Sequence, residues 1–328
     1  MGPTVSTLTE RELIARIRQL LPPAPDWLLV GIGDDAAVVE PERNRVEVLT
    51  VDAIVEGIHF DRAFVPPDAI GHRALAVNLS DLAAMGAAPR LALLSMALPA
   101  GLPLADFDAI AAAFTALAAR HRLHVAGGNL TRSPGPLMID VTVMGTVKRR
   151  QALARSGARP GDDLYVSGSV GSARAGLRSL QAAVGSRQPS VVSSFLYPQP
   201  RLALGIHLAR NRAASACMDL SDGLSDGLQQ IAEASGVGMT VDTEALPIDP
   251  EARAFFAARG EDPVAEALAG GDDYELLIAV RPRTQRRLAE ARRRGDVALT
   301  RIGRCTAERG ITLTGAGGAL PQGFAHFR

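Results

Sequence analysis

Aspartate residues recur beside apolar segments along this chain. The first two, Asp34 and Asp35, follow a pair of glycines in the segment Val-Gly-Ile-Gly-Asp-Asp. Paired glycines let the backbone turn tightly and approach a ligand closely, so this segment is either a solvated turn or a cation site. Asp52 follows a strand-like run, and further aspartates stand beside apolar segments at Asp81, Asp219, Asp222, Asp272 and Asp273. This recurrence favours the cation site.

The accompanying residue types indicate which cation. The sequence has 35 Asp and Glu residues but only 6 His and 2 Cys, a donor set that suits a hard cation with oxygen ligands. Mg²⁺ keeps several waters and binds through one or two carboxylates together with substrate phosphates. Aspartates on several separate loops therefore predict several Mg²⁺ ions on a polyphosphate.

Three common ligand-binding motifs are absent from the sequence. The single lysine, Lys148, excludes a phosphate-binding loop built on Gly-Lys-Ser/Thr. The segment Gly31-Ile-Gly33 lacks the third glycine of the dinucleotide fingerprint. A calcium loop beginning at Asp219 is excluded, because its glycine falls one place early and Gln230 stands where a bidentate glutamate is required.

Other candidate residues each keep a structural alternative. Asp219 and Asp222 lie three apart at a predicted helix start, where they either cap the helix or face one side of a site. His59 is either a packed histidine or a ligand. Arg155 is either a solvated charge or a phosphate clamp. The glycines of segment 127–129 either form a plain turn or offer their backbone N–H groups to phosphate as donors.

Composition predicts a cytoplasmic globular protein. The 328 residues suffice for one large or two ordinary domains, and 47% hydrophobic residues support a sizeable core. The formal net charge is zero, so no overall field draws nucleic acid or an anionic membrane. Cys217 and Cys305 are too few for a disulfide framework and fit a reducing compartment. We expect no signal peptide, because Glu10, Arg11 and Glu12 replace an apolar run.

Hydrophobic periodicity predicts alternating helices and strands. Segment 7–21 reads as an amphipathic helix, with Thr7 and Glu10 as a capping box. Segment 137–147 alternates with apolar groups on both faces, so we expect both faces of that strand to be covered, one of them by a partner subunit. A basic run beginning at Lys148 marks a predicted boundary between two α/β domains, 1–148 and 149–328.

Seven motifs together resemble those of the thiamine-monophosphate kinase family, in the superfamily of aminoimidazole ribonucleotide synthetase. They come in the family's order and span the chain from about residue 28 to the end. They read Gly31-Ile-Gly-Asp-Asp, Asp52-Ala-Ile-Val-Glu-Gly-Ile-His59-Phe, Ala76-Val-Asn-Leu-Ser-Asp81-Leu-Ala-Ala-Met-Gly, Gly127-Gly-Asn-Leu-Thr-Arg132, Ala154-Arg-Ser-Gly157, Asp219-Leu-Ser-Asp-Gly and Gly270-Gly-Asp-Asp-Tyr-Glu275.

The resemblance implies a fold and an oligomeric state. The expected fold is the two-domain aminoimidazole ribonucleotide synthetase-like fold, with an α/β N-terminal domain and an α+β C-terminal domain. The N-terminal domain would form a homodimer through its sheet, and ATP would lie in the cleft between the domains.

The resemblance also implies site residues by position. The Mg²⁺ ligands would be Asp35, Thr50, Asp52, Asp81, Asp219 and Asp222. ATP would contact Gly128, Asn129, Arg155 and Ser221, and the thiamine-phosphate site would include His59, Asp272 and Phe324. Of these, Asp52, Asp81 and Arg155 would be catalytic.

Three residues depart from the family pattern. Val51 replaces a usual hydroxyl residue, Asn129 a usual aspartate, and Asp272 a common glutamate. Val51 could still offer its backbone carbonyl, but Asn129 removes one negative charge. The resemblance therefore implies that one Mg²⁺ is weakly bound or missing in this chain.

The implied activity is Mg²⁺-dependent, in-line transfer of the γ-phosphoryl group of ATP to thiamine monophosphate, giving thiamine diphosphate. Two alternatives remain at this point. One is another ATP-using member of the superfamily, such as an aminoimidazole ribonucleotide synthetase. The other is a non-catalytic binder of nucleotide or thiamine phosphate, for which Val51 and Asn129 are the only support.

Overall fold

The structure, a computed structural model, describes residues 2–182, 189–315 and 319–324. The chain divides into two compact units. The first comprises Met1–Leu79 and Pro89–Val147, and the second comprises Ser80–Ala88 and Lys148–Arg328. Among the described residues, every helix is too short or too polar to cross a membrane.

The first unit contains three helices and six strands. The helices are α1 (Glu10–Leu20), α2 (Pro67–Ala84) and α3 (Leu104–Arg120). The strands are β1 (Leu28–Val30), β2 (Val38–Val39), β3 (Arg45–Val55), β4 (Ala88–Pro99), β5 (His124–Ser133) and β6 (Met138–Lys148). Strands β3-β6-β4-β5 form one sheet in that order, with β4 and β5 parallel, and β1 and β2 form an antiparallel ribbon.

One face of the four-stranded sheet lies in the core. Successive strand residues point to opposite faces, and along the first half of β6 Ile139, Val141 and Val143 are buried, while Met138 on the opposite face is 36% exposed. Helices α2 and α3 pack so closely that a Cβ on Gly71 would lie 2.1 Å from the Ile110 carbonyl oxygen. The opposite face is covered by this chain at Met144 of β6, which is buried against Leu28 and Ala126, and is exposed at Met138.

The capping box of α1 differs from the predicted one. The pattern Thr-x-x-Glu occurs twice, and the second copy is used: Glu12 Oε2 accepts a hydrogen bond from the Thr9 backbone N–H at 2.7 Å. Thr7 lies instead in a short 3-10 helix, Val5–Thr7. The prediction of Thr7 with Glu10 was wrong: both copies satisfy the capping pattern, but Thr7 Oγ1 donates to the Thr4 carbonyl at 2.7 Å.

The second unit contains seven helices and six strands among its described residues. The helices are α4 (Ser172–Gln181), α5 (Pro189–Leu196), α6 (Leu202–Asn211), α7 (Leu224–Ser235), α8 (Pro250–Ala257), α9 (Pro263–Ala269) and α10 (Gln285–Gly295). The strands are β7 (Asp163–Ser167), β8 (Ala216–Asp219), β9 (Gly238–Asp242), β10 (Leu276–Val280), β11 (Leu299–Thr306) and β12 (Ile311–Thr314). They form one mixed sheet in the order β12-β9-β11-β7-β10-β8.

The core of the second unit buries both cysteines. Strand β10 is buried at every position and pairs antiparallel with β7 and β8. Cys217 on β8 and Cys305 on β11 are each 1% exposed and are free thiols. Burial raises the pKa of both thiols above the ordinary value, that of Cys305 to about 12. They are therefore packed core residues without thiolate character.

The end of α2 belongs to the second unit. A Cβ on Gly205 of α6 would lie 1.9 Å from the Ala83 carbonyl oxygen, so only glycine allows this approach. The Leu153 backbone N–H donates to the Met85 carbonyl at 3.1 Å. These contacts hold Ser80 and Asp81 in the same unit as the second group of predicted site residues.

Candidate active site

The predicted Mg²⁺ ligands of the first unit lie on two elements. Asp35 is exposed in the loop between β1 and β2, where its backbone N–H donates to Asp34 Oδ1 at 2.9 Å. Thr50 and Asp52 are both half-buried in β3. The expectation that Asp52 follows its strand was wrong, because β3 continues to Val55.

Strand alternation places Val51 away from the candidate ligands. Residues two apart on a strand share a face, so Thr50 and Asp52 lie on one face of β3 and Val51 on the other. Val51 is 59% exposed. The Val51 side chain therefore points away from Thr50 and Asp52. Its replacement of the family's usual hydroxyl residue changes the opposite face of the sheet.

His59 is held by the end of β3. The Val55 backbone N–H donates to His59 Nδ1 at 3.1 Å, and the His59 backbone N–H donates to the Val55 carbonyl at 2.9 Å. A neutral imidazole that accepts at one nitrogen carries its proton on the other. This arrangement assigns the proton of neutral His59 to Nε2, which makes that atom a hydrogen-bond donor.

The glycine pair at 127–128 lies inside β5, so the plain-turn alternative was wrong. Gly128 has φ +156°, and a Cβ there would lie 1.8 Å from the Leu94 carbonyl oxygen of β4. Any other residue would separate the two strands. Gly127, Gly128 and Asn129, together with apolar residues that include Ile14 and Ile17 of α1, line a small cavity of about 50 Å³.

In the second unit, Asp81 and Asp219 approach each other. Asp219 ends β8, is 4% exposed, and accepts a hydrogen bond from Ser80 Oγ at 2.7 Å. Burial and the negative charge of Asp81 raise the pKa of Asp219 to about 7, against the opposing effects of Ser80 and Arg155. A cation between these carboxylates would offset both the burial cost and the repulsion.

Neither Asp219 nor Asp222 caps a helix. Helix α7 begins only at Leu224, and Gly223 at its N-cap offers no side-chain hydrogen bond. Both aspartates precede the helix, as predicted, but pairing of β8 with β10 makes Asp219 the last residue of a strand. The capping alternative is thereby removed for both carboxylates.

Backbone hydrogen bonds bring four predicted site residues together. The Asp272 N–H donates to the Ser221 carbonyl at 2.7 Å, and the Phe324 N–H donates to the Asp222 carbonyl at 3.1 Å. Asp272 and Tyr274 both have positive φ, 66° and 50°, a conformation that is uncommon for residues other than glycine. Such strained loops are typical of ligand sites.

Arg155 is oriented by two residues that the sequence interpretation did not assign to the site. Its Nη1 donates to Gln230 Oε1, and Gln230 Nε2 donates to Asp226 Oδ2 at 2.5 Å. Gln230 and Asp226 lie four apart on α7, on the same helix face. That spacing was visible in the sequence, but nothing there links the helix to Arg155.

Two more carboxylates of the motif Gly270-Gly-Asp-Asp-Tyr-Glu275 have structural roles. Asp273 accepts hydrogen bonds from the backbone N–H groups of Gly171 at 2.8 Å and Ala173 at 3.2 Å, and so caps α4. Desolvation raises the pKa of Asp273 to about 8, although both N–H groups oppose the shift. Glu275 accepts from Ser167 Oγ at 2.5 Å and from Arg201 Nε at 2.7 Å.

The donor chemistry fits Mg²⁺. Among the described residues, no three His, Cys, Asp or Glu side chains are grouped as a complete metal site. The six predicted ligands are divided equally between the two units, and all supply oxygen. Mg²⁺ needs only one or two carboxylates when phosphates and waters complete its shell, and the buried Asp219 beside Asp81 supplies such a pair.

Comparison with known proteins places the chain in a family. The family models described as AIR synthase related protein, N-terminal domain and C-terminal domain, match residues 33–147 and 159–316. Thiamine-monophosphate kinase of Rhodopirellula baltica is 32% identical over 328 residues, which cover 97% of each chain. The chain belongs to the thiamine-monophosphate kinase family.

Solved structures of thiamine-monophosphate kinases share its fold. The enzyme from Stenotrophomonas maltophilia is 40% identical, with a TM-score of 0.83 over 94% of this chain and 97% of the other. AaThiL complexed with AMPPCP and TMP is 31% identical, with a TM-score of 0.77 over 100% of both chains. The predicted aminoimidazole ribonucleotide synthetase-like fold is confirmed.

Proposed function

We propose that this protein transfers the γ-phosphoryl group of ATP to thiamine monophosphate, giving thiamine diphosphate and ADP. The full-length match to AaThiL complexed with AMPPCP and TMP carries the proposal, since AMPPCP is a triphosphate analogue of ATP. The curated relatives named thiamine-monophosphate kinase support the same activity.

The metal in this proposal is Mg²⁺. Its ligands would be Asp35, Thr50 and Asp52 in the first unit and Asp81, Asp219 and Asp222 in the second. When bound, Mg²⁺ would screen the negative charge of the phosphates and stabilise charge in the transition state. The support is the all-oxygen donor set and the Asp81–Asp219 pair, whose mutual repulsion a cation would relieve.

The remaining residues would bind the two substrates. ATP would contact Gly128, Asn129, Arg155 and Ser221. Support comes from the close approach of Gly128 to β4, which only glycine permits, and from the orientation of Arg155 by α7. Thiamine monophosphate would contact His59, Asp272 and Phe324, with His59 Nε2 donating a hydrogen bond. Asp52, Asp81 and Arg155 would be the catalytic residues.

The chemistry needs no general base. The nucleophile is a phosphate oxygen, and a phosphate monoester with a second pKa of about 6 is already ionised at neutral pH. The barrier is the approach of two anions, which the Arg155 guanidinium would lower by offsetting their charge. A site rich in aspartate and poor in catalytic lysine or histidine is consistent with in-line transfer of this kind.

A homodimer is the proposed assembly, formed through the outer face of the four-stranded sheet. Leu49 and Val51 of β3 are 67% and 59% exposed, and Leu93 of β4 and Met138 of β6 also expose apolar side chains. These four residues point away from the core, and an exposed apolar sheet face is a typical interaction surface. A second copy of this chain would cover it.

Two further proposals concern organisation and location. We place the domain boundary at 148/149, close to the Val147/Lys148 division between the compact units. A cytoplasmic location is supported by the two free cysteines, Cys217 and Cys305, which suit a reducing compartment.

The test is ADP release from Mg·ATP by purified protein, with and without thiamine monophosphate, together with identification of the thiamine product. We expect thiamine diphosphate to form in step with ADP and to stop when EDTA removes the metal. ADP release only with a different acceptor would assign another activity of the superfamily. Binding without turnover would assign a non-catalytic protein.

The residue assignment has its own test. Asp81→Ala should abolish turnover while the circular dichroism spectrum and thermal midpoint stay close to those of the wild type. The exposed Glu233 of the same unit gives a matched control, and Glu233→Ala should keep full activity. Near-normal turnover by Asp81→Ala would contradict the proposed role.

A further inference from the structure

A groove on the second unit has walls made almost entirely of arginine. It lies where the C-terminal end of α6 meets the first turn of α10, and its volume is about 520 Å³. Its lining residues are Arg210, Asn211, Arg212, Arg286, Arg287 and Glu290. Four cationic side chains against one carboxylate form a concentrated positive charge in a chain whose formal net charge is zero.

The four arginines have no partners within the described part of the chain. None forms a hydrogen bond or ion pair through its side chain, in contrast to Arg293 and Arg294, which both pair with Glu290. Glu290, the single acidic residue of the groove, is thus already engaged. The four arginine side chains are exposed, so solvent screens their mutual repulsion and leaves them accessible to an anion.

Local structure rules are broken at three places in this groove. Arg212 ends α6 in the left-handed conformation, with φ 51°, where glycine is favoured. Arg286 and Arg287 occupy the first turn of α10, where the helix dipole favours acidic residues. The Asn211 amide has a buried Nδ2 without an acceptor. Local violations of this kind concentrate at functional sites.

The start of α10 adds favourable electrostatics for an anion. This helix has 11 residues, no acidic residue in its first turn and no side-chain cap, and it follows directly on the 3-10 turn Pro282–Thr284. Backbone N–H groups at a helix start attract phosphate. Nearby, burial and the positive charges of Arg210 and Arg294 lower the pKa of His207.

We propose that this groove binds a chain of two or three phosphates. Arginine pairs with phosphate through parallel hydrogen bonds, and four guanidinium groups match the charge of an oligophosphate. The groove is open to solvent, so a phosphate chain bound there would stay partly hydrated. A long nucleic acid would need a more extended basic surface. The ligand is either free oligophosphate or the phosphate tail of a nucleotide.

Calorimetry with inorganic tripolyphosphate and with ADP tests the proposal on the intact chain. Loss of two charge-assisted contacts in Arg286→Ala/Arg287→Ala should weaken binding at the groove at least about tenfold. Arg292→Ala is the matched control, because this exposed arginine lies on the same helix and lines a different cleft. A larger loss of affinity for tripolyphosphate in the double variant would identify free oligophosphate as the ligand. A larger loss for ADP would identify the phosphate tail of a nucleotide.

The double variant should remain folded and active. Alanine is a better first-turn residue than arginine beside the helix dipole, so its thermal midpoint should equal or exceed that of the wild type. Turnover of ATP should stay within about twofold of the wild type, because no groove residue is assigned to the proposed kinase site. ADP would also bind the proposed kinase site, so only affinity that is lost in the double variant and retained in Asp81→Ala is assigned to the groove.

Three results would overturn the proposal. The first is equal affinity of the wild type and the double variant for both probes. The second is an equal loss of affinity in Arg292→Ala, which would indicate unspecific charge attraction. The third is a short RNA that loses affinity in the double variant while neither phosphate probe does.

Discussion

Gln230 bridges Arg155 to Asp226: its Oε1 accepts from the Arg155 guanidinium, and its Nε2 donates to Asp226 Oδ2 at 2.5 Å. A guanidinium at the end of a flexible side chain loses conformational freedom when it binds a ligand. The bridge fixes Arg155 in advance through a rigid helix. Gln230 is therefore a positioning residue for the proposed phosphate contact.

Replacement of Gln230 should impair turnover without unfolding the protein. Gln230→Ala removes both hydrogen bonds, and a small misplacement of Arg155 should lower kcat about tenfold. Gln229→Ala is the control, since Gln229 is exposed on the same helix. Steady-state kinetics of the two variants gives the comparison, and identical constants for both would remove the positioning role.

The buried pair of Arg201 and Glu275 should matter far more than an exposed pair of the same type. Glu275 has a side chain 4% exposed, and Arg201→Ala would leave its carboxylate without a countercharge. We expect Arg201→Ala to lower the free energy of unfolding by about 3 kcal/mol. This value is at the low end for buried pairs because the Arg201 side chain is 27% exposed. Urea unfolding followed by a probe in the second unit measures it.

The control for this pair is Arg293→Ala. Arg293 pairs with Glu290 at 2.8 Å, but its side chain is 67% exposed. Exposed ion pairs contribute little to stability, so no measurable change is expected. Equal losses in the two variants would show that burial of Glu275 does not set the strength of its pair.

Charge on the outer sheet face should break the proposed dimer. Leu49→Asp would place a carboxylate in the centre of an apolar interface, where burial of an unpaired charge is costly. Analytical ultracentrifugation should find a dimer for the wild type and a monomer for this variant. Leu29→Asp, at a 62% exposed leucine of β1, should stay dimeric. A monomeric wild type would contradict the proposal.

Acid should destabilise the first unit through its buried imidazoles. Burial lowers the pKa of His124, and burial together with Arg120 and His72 lowers that of His121. Below a pH of about 6.5 the unfolded chain therefore binds more protons than the native one, and stability falls as pH falls. His124→Gln should reduce the drop in thermal midpoint between neutral and acidic buffer. An NMR titration placing His124 at or above its ordinary pKa would refute this.

Sequence patterns predicted those parts of the fold that depend on local periodicity and turn chemistry. The alternation of Ile139, Val141 and Val143 gave the buried face of β6 correctly. Patterns that fit two registers were ambiguous, as with Thr7 and Thr9. The structure uses Thr9.

Long-range contacts account for what the sequence could not provide. Capping of the helix that follows was one alternative for Asp219, while pairing with β10 makes this residue the end of a strand. Asp273 caps a helix that begins about a hundred residues earlier. A partner at such a separation has no local signature, so neither the cap nor the Arg155 bridge was predictable.

Burial of both thiols gives this protein an internal reporter of unfolding. Cys217 and Cys305 lie in the core of the second unit, and no cysteine lies in the first. A thiol reagent can therefore react only when the second unit opens. Labelling rates measured with and without ligands would follow the opening of that unit alone, while the single tryptophan, Trp27, reports on the first.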